Sequence, residues 1–299
     1  MSVAENGLPT VAELTRKDLA LLPPRPRDGH KGTFGRVLIV GGSLCMSGAG
    51  YLAAKAALRA GCGMVELFCP WENRVIYQTQ LPEALLTCYG EDDPTGPLEA
   101  ALARADAVAI GMGLSQSETA KKLLYAVLKT GEKPLVIDAD GLNLLAKDPD
   151  RAARLSRYPA PVILTPHMGE MSRLVGATVD EIATDPLSYA VEFAERSGAV
   201  VVLKSAKTYV TDGKRAARNS FGNSGMATAG SGDVLAGITA SLAARGLQPY
   251  EVAHGTTAYD MARCAVLTHA LAGDAAAAEH GENGLIAGDI IDGMAKVLP

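Results

Sequence analysis

The residues most capable of chemistry lie between Asn219 and Gly237, in the run NSFGNSGMATAGSGDVLAG. Glycines, small hydroxyl residues and one carboxylate, Asp233, directly precede Val234, Leu235, Ile238 and Leu242, apolar positions at helical spacing. The pattern reads as a glycine-rich loop running into a helix N-terminus. Unpaired amides and the positive end of the helix dipole make such a terminus an anion site, and glycines let a phosphate approach the backbone. A carboxylate repels a resting phosphate, so Asp233 is out of place in a loop that only holds one. It is well placed as a general base for phosphoryl transfer. In a bare Gly-Ser-Gly-Asp, an acid in the first helical turn serves equally as a cap and dipole partner.

Other polar groups come after apolar runs of strand length. Thr165-Pro166-His167-Met168-Gly169-Glu170 offers an imidazole and a carboxylate. Each alone reads as a packed histidine or a dipole partner, but after one strand they suggest a shared site. Lys204-Ser205-Ala206-Lys207-Thr208 brings two lysines suited to neutralising phosphates, or the solvated start of a hairpin. In Asp138-Ala139-Asp140-Gly141-Leu142-Asn143, Asp140 and Asn143 suit Mg²⁺ held through water or ribose hydroxyls, and equally an Asx turn with a helix cap. Gly111-Met112-Gly113 reads as a tight strand-to-helix turn or a close approach to a ligand. Gly48–Ala53 matches G-x-G-x-x-A with Glu66 eighteen residues beyond Gly48, yet it begins eight residues past Val40, too far for a dinucleotide-binding turn.

These groups need a scaffold that collects strand ends. Apolar runs at Val37–Val40, Met64–Cys69, Ala107–Ile110, Leu135–Asp138, Val162–Thr165 and Val200–Lys204 read as strands. Helical patterns at Tyr51–Ala60, Glu118–Lys129, Gly169–Val175 and Pro186–Arg196 separate them. Continuous rather than alternating apolar strands between helices predict an α/β fold with a mostly parallel sheet covered on both faces. A hairpin over Thr208–Asn219 turns at Asp212-Gly213, and helices are expected near Val234–Arg245, Pro249–Ala272 and Asp289–Leu298, with Gly246 and Gly273 as stops. Prolines break up residues 1–30, which read as a short helix near Thr10–Leu22 and then an extended arm. No linker interrupts the pattern, so one domain over 1–299 is expected. Ligands of such sheets bind beyond the carboxyl ends of the strands.

Composition narrows the classes. With 48% hydrophobic and only 5% aromatic residues, the core is expected from Ala, Val, Leu and Ile. A net charge of -5 with no basic stripe argues against a nucleic-acid surface. The 5 cysteines are scattered without a C-x-x-C pair, which favours a reducing compartment and no zinc site. No signal peptide or membrane span is readable, so a cytoplasmic protein without a membrane partner is expected.

The block GNSGMATAGSGDVLAG resembles the signature of the ADP- or ATP-dependent (S)-NAD(P)H-hydrate dehydratases, a branch of the ribokinase-like superfamily. His30-Lys31-Gly32 through Ala49 looks like the same family's H-K-G-x-F-G-R-V-L and G-G-S…S-G-A segment, and Thr165–Glu170 its T-P-H-x-G-E, with Met168 where proline is usual. Lys204–Thr208 resembles K-G-A-x-T with Ser205 in place of glycine, and Ala229 stands where many relatives have glycine. The resemblance spans roughly residues 10–298 as one domain.

That resemblance implies a ribokinase-like three-layer sandwich that repairs hydrated NADH and NADPH. It implies Ala49, Gly113, His167 and Asp233 around the hydrate, and Lys204, Ser205, Ala206, Lys207, Thr208, Gly230 and Gly232 around the nucleotide. Glu170 then lies near Mg²⁺ and the phosphates. Hydroxide leaves poorly, so the C6 hydroxyl, relieved of its proton by Asp233, first takes the terminal phosphoryl group of ADP or ATP; the ring nitrogen then expels phosphate. Small Ala-rich helices are expected to pack into a homo-oligomer, a tetramer. A separate NAD(P)H-hydrate epimerase is a functional partner in prospect, since the short N-terminus leaves no room for one. A small-molecule kinase of the same fold, such as a thiazole or pyrimidine kinase, and a nucleotide sensor without chemistry are the competing readings.

Overall fold

A computed structural model describes residues 7–90 and 92–298. Ten strands form one sheet: β1 (Val11–Glu13), β2 (Arg36–Val40), β3 (Met64–Pro70), β4 (Leu85–Tyr89), β5 (Ala107–Ile110), β6 (Leu135–Ile137), β7 (Val162–Leu164), β8 (Val200–Leu203), β9 (Tyr209–Thr211) and β10 (Ala216–Arg218). They lie in the order β1-β10-β9-β8-β7-β6-β5-β2-β3-β4. Only β9 runs antiparallel to its neighbours β8 and β10.

The inner strands are apolar on both faces because both faces are covered. Val37 and Ile39 of β2 pack with Ala107 and Ala109 into one core, while Leu38 and Val40 join Val108 and Ile110 in the other. The first core holds the helices Ser47–Arg59, Ser231–Gly246, Ala258–His280 and Ala287–Gly293. The second holds Thr95–Arg104, Glu118–Thr130, Ala139–Ala146, Met168–Val175 and Pro186–Ser197. The expected three-layer α/β sandwich is therefore the observed one.

Small residues set the spacing of the first layer. Ala53, Ala54, Ala56 and Ala57 of one helix meet Ala236 and Ala240 of the helix carrying the glycine loop, all buried. A Cβ on Gly237 would be driven into the backbone carbonyl of Ala53. Gly237→Ala is therefore expected to cost about 2 kcal/mol through overpacking, and thermal unfolding checks it: an unchanged midpoint would show that the two helices separate freely.

Several expected elements differ. Thr10–Leu22 is not a helix: Val11–Glu13 joins the sheet as β1, and a 3-10 turn over Arg16–Leu21 starts where the Thr15 amide donates to Asp18 at 2.7 Å. The sixth strand ends at Ile137 rather than Asp138, which takes the N-cap position of the next helix without a side-chain capping bond. The helix expected over Pro249–Ala272 is two. Gly255, at φ 93, ends the first, and Thr257 caps the second, which runs to His280. Gly273 is thus no stop; it sits within that helix, where any side chain would collide with Met226. The terminal helix spans Ala287–Gly293 and tightens into a 3-10 turn, Met294–Lys296. The hairpin at Asp212-Gly213 is present.

Candidate active site

Strands β6, β7 and β8 lie side by side in parallel, so the segments beyond their carboxyl ends converge. Asp138 comes directly after β6, Thr165 and His167 after β7, and Lys204 after β8. Lys204 Nζ donates to Asp138 Oδ1 at 2.7 Å and lies 3.9 Å from Glu170 Oε2. Thr165 Oγ1 donates to the same Asp138 oxygen at 2.8 Å, so the carboxylate is held from two strands. Backbone pairing of His167 with Lys204 extends the sheet by one bridge and fixes the imidazole beside the ammonium.

The glycine loop closes onto this cluster from the opposite layer. Gly230 adopts φ 90 and caps the helix Ser231–Gly246. A Cβ on Gly232 would lie 3.3 Å from Lys204 Nζ and 3.8 Å from Asp138 Oδ2, which places the first helical turn against the ion pair. Asp233 is in that turn. Burial, with Asp138 second, pushes its carboxyl up to about 7 against the opposing pull of Lys204. Glu170 is raised to about 7 too, again by burial first, with Lys204 pulling the other way. Burial alone would lower Lys204, but Asp138 and Glu170 hold its ammonium above the ordinary value.

His167 completes this side. Its Nδ1 accepts from the amides of Gly169 at 3.0 Å and Glu170 at 3.3 Å, while its own amide donates to Glu170 Oε2 at 2.8 Å. With Nδ1 committed as an acceptor, the neutral ring carries its proton on Nε2, 3.3 Å from Glu170 Oε1. Burial, then Lys204 and Arg173, keep the ring below its usual pKa, so it is a neutral donor at pH 7.

Ala49 and Gly113 are brought together across the β2–β5 pair. A Cβ on Gly113, which has φ 59, would stand 2.9 Å from Ala49 Cβ and 2.8 Å from the Met46 carbonyl oxygen. Asp140 and Asn143 lie on the same side but with their polar atoms engaged. Asp140 accepts from the Ser115 amide at 2.9 Å and from Gln116 Nε2 at 3.3 Å, and Asn143 Oδ1 accepts from Arg173 Nε at 2.8 Å. On the other flank, Lys204–Thr208 forms a bend closed by the Lys207 amide donating to Ser205 Oγ at 3.2 Å. Among the described residues the non-glycines with positive φ are Cys45, Ser115 and Ala139, so Ser205 needs no glycine-like backbone.

A family model described as NAD(P)H-hydrate dehydratase matches residues 37–296, which takes in this entire cluster. The chain belongs to the NAD(P)H-hydrate dehydratase family. It is 42% identical over 287 residues to the bifunctional NAD(P)H-hydrate repair enzyme Nnr of Moorella thermoacetica, a match covering 93% of this chain and 52% of the relative. The chain thus spans about half the length of the first curated relatives it matches. It is 35% identical to the ADP-dependent (S)-NAD(P)H-hydrate dehydratase of Xanthomonas campestris over 97% of this chain and 98% of that one. The Bacillus subtilis ADP/ATP-dependent NAD(P)H-hydrate dehydratase co-crystallized with ATP/Mg²⁺ superposes with a TM-score of 0.81 at 29% identity, covering 96% of this chain and 98% of that chain.

As a member of the dehydratase family, the chain has a site that sequence reasoning located only in part. Asp138 is the carboxylate at its centre, whereas the sequence draws attention to Asp140 and Asn143. His269 is also unanticipated. Its Nε2 lies 3.3 Å from Ser231 Oγ at the loop's first helical residue, and burial lowers it to about 4, so the ring is neutral. A lone histidine in an Ala-rich helix carries no signal that would have found it. Whether the site suits Mg²⁺ is decided by its charge. Asp138, Glu170 and Asp233 face one ammonium, so carboxyls outnumber the cation, and a divalent cation would favour the ionised form of Glu170 and Asp233 that burial disfavours. No group of three or more acidic, histidine or cysteine residues is placed to hold a metal alone among the described residues. The acidic residues present would fit a hard divalent cation only if a bound ligand supplied further oxygens, with Glu170 and Asp138 the residues that would hold it.

Proposed function

We propose that the chain dehydrates the (S)-hydrates of NADH and NADPH, using ADP or ATP as phosphoryl donor and restoring the reduced dinucleotide. The observation that carries this reading is Asp233, with its carboxyl raised to about 7, at the N-terminus of the glycine-loop helix against the Lys204–Asp138 pair. A base with a pKa near the working pH combines ionisation with driving force for proton removal.

Asp233 takes the proton from the C6 hydroxyl as its oxygen attacks the terminal phosphorus in line. Amides of Gly230–Asp233 stabilise the equatorial oxygens, and Lys204 neutralises charge on the donor side. Mg²⁺, when bound with the nucleotide, neutralises the phosphates and orients them. Phosphate then leaves C6 of the resulting ester with the C–O bonding pair as the ring nitrogen's lone pair moves in, and loss of a C5 proton to solvent restores the 5,6 double bond. With ADP the products are AMP, phosphate and NAD(P)H. His167, neutral and donating through Nε2, and the adjoining Ala49 and Gly113 form the wall against which the hydrated ring is held.

A cytoplasmic location fits the free cysteines Cys45, Cys62, Cys69, Cys88 and Cys264. Exposed Trp71, Val75, Ile76 and Leu85 support a homo-oligomer, which we take to be a tetramer. The bifunctional relatives support pairing with an epimerase activity that interconverts the hydrate epimers.

Recovery of absorbance at 340 nm on mixing the chain with NADH hydrate and ADP is the expected result, with ATP run alongside. Accumulation of a stable phosphate ester instead would identify a small-molecule kinase, and nucleotide binding without turnover a sensor.

A further inference from the structure

A cavity of about 490 Å³ lies beside the hydrate side of the site, lined by Gln116, Asn143, Ala146, Lys147 and Arg173. Its lining holds two cations and two amides; the amide nitrogens of Gln116 and Asn143 donate to Asp140 Oδ1 at 3.3 and 3.4 Å, so the two cations are what the cavity offers an anion. Arg173 donates Nε to Asn143 Oδ1 at 2.8 Å, yet among the described residues its guanidinium pairs with no carboxylate. Lys147 likewise makes no ion pair among the described residues, and its side chain is exposed. Unpaired cations around a cavity, with neutral amides between them, make a site for an anion.

Position selects the ligand. Gln116 lies beyond β5, Asn143 beyond β6, and Arg173 is on the helix after β7. The cavity therefore opens on the flank of Gly113 and His167, away from the Lys204–Thr208 bend after β8. A hydrated nicotinamide ring is uncharged, whereas the remainder of the dinucleotide carries phosphates.

We propose that Arg173 and Lys147 bind a phosphate group of the dinucleotide beyond its nicotinamide end, and so anchor the hydrate in the site. This rests on the dehydratase reading. A guanidinium fixed by Asn143 presents a planar fork to the oxygens, and Lys147 supplies a second, mobile charge.

The test is Arg173→Gln, Lys147→Gln and the double variant, each assayed with NADH hydrate and NADPH hydrate. Each single variant is expected to raise the hydrate KM about tenfold, roughly the loss of one charge-assisted contact, and the double variant further, with little change in the KM for ADP. A rise for both hydrates assigns the diphosphate bridge, and a rise for NADPH hydrate alone assigns the 2′-phosphate. Lys147→Gln separates charge from packing, because Lys147 supports no neighbour. Unchanged hydrate KM values in a chain that dehydrates both substrates would overturn the inference alone, as would an equal rise in the KM for ADP. A wild-type chain that turns over neither hydrate would overturn the functional reading first.

Discussion

Asp233→Asn is expected to lower kcat about a hundredfold or more while nucleotide affinity stays within about threefold. The amide preserves shape and the start of the helix but cannot accept the hydroxyl proton. Since the backbone cradle around Gly230 and Gly232 is untouched, the loss belongs in turnover. Retention of near-normal kcat would remove Asp233 from the mechanism. The wild-type pH profile is linked to the same group: with a carboxyl at about 7 in the free chain, kcat/KM rises with pH up to that value and levels above it.

A stability consequence of opposite sign accompanies this loss. Burial raises the folded-state pKa of Asp233 from 3.8 to about 7, so between those values the folded chain binds more protons than the unfolded one. Stability from this group is full below 3.8 and is lost as pH rises through about 7. The amide side chain carries no charge to bury, so Asp233→Asn is expected to be more stable than wild type at pH 8, by roughly 2 kcal/mol. The difference should vanish near pH 4. Thermal midpoints at the two pH values test this; a variant less stable than wild type at pH 8 would contradict the burial argument.

Lys204→Met is expected to abolish turnover, by about a thousandfold, and to destabilise the fold by about 3–5 kcal/mol, as when one member of a buried charge set is removed. Asp138 is 1% exposed and keeps Lys204 as its ion-pair partner at 2.7 Å, while Glu170 and Asp233 are both drawn downward by the same ammonium. Without it, both carboxyls move further up and Asp233 is protonated at neutral pH, so the base is lost along with the neutralising charge for the donor. Acidification protonates the stranded carboxylates, and the gap in thermal midpoint between variant and wild type should narrow from pH 8 to pH 5. A gap independent of pH would mean that the methionine harms packing rather than charge balance.

The inner sheet is legible in the sequence because β2, β5 and β8 are buried on both faces and spell continuous apolar runs. Edge elements are not: β4 is only partly buried, and β1 has three residues with no pattern of their own. Gly273 shows the limit of reading punctuation, since a glycine stops one helix as a terminus and serves another as clearance for Met226. In the site, the glycine loop and the Thr165–Glu170 block are legible from their local chemistry. Asp138 is not, because Asp138-Ala139-Asp140 offers two acids and nothing in their order says which faces the lysine. The backbone decides. Ala139, at φ 48, directs Asp138 to Lys204 and Asp140 to the amide of Ser115.

The bridge between His167 and Lys204 ties the proposed hydrate flank to the proposed nucleotide flank by pairing the two segments directly. Two ligands that meet on such a common element are thermodynamically reciprocal. By whatever factor bound nucleotide changes the dissociation constant of the hydrate, the hydrate changes that of the nucleotide by the same factor. Wherever that factor differs from one, saturation of the site by either ligand depends on the concentration of the other.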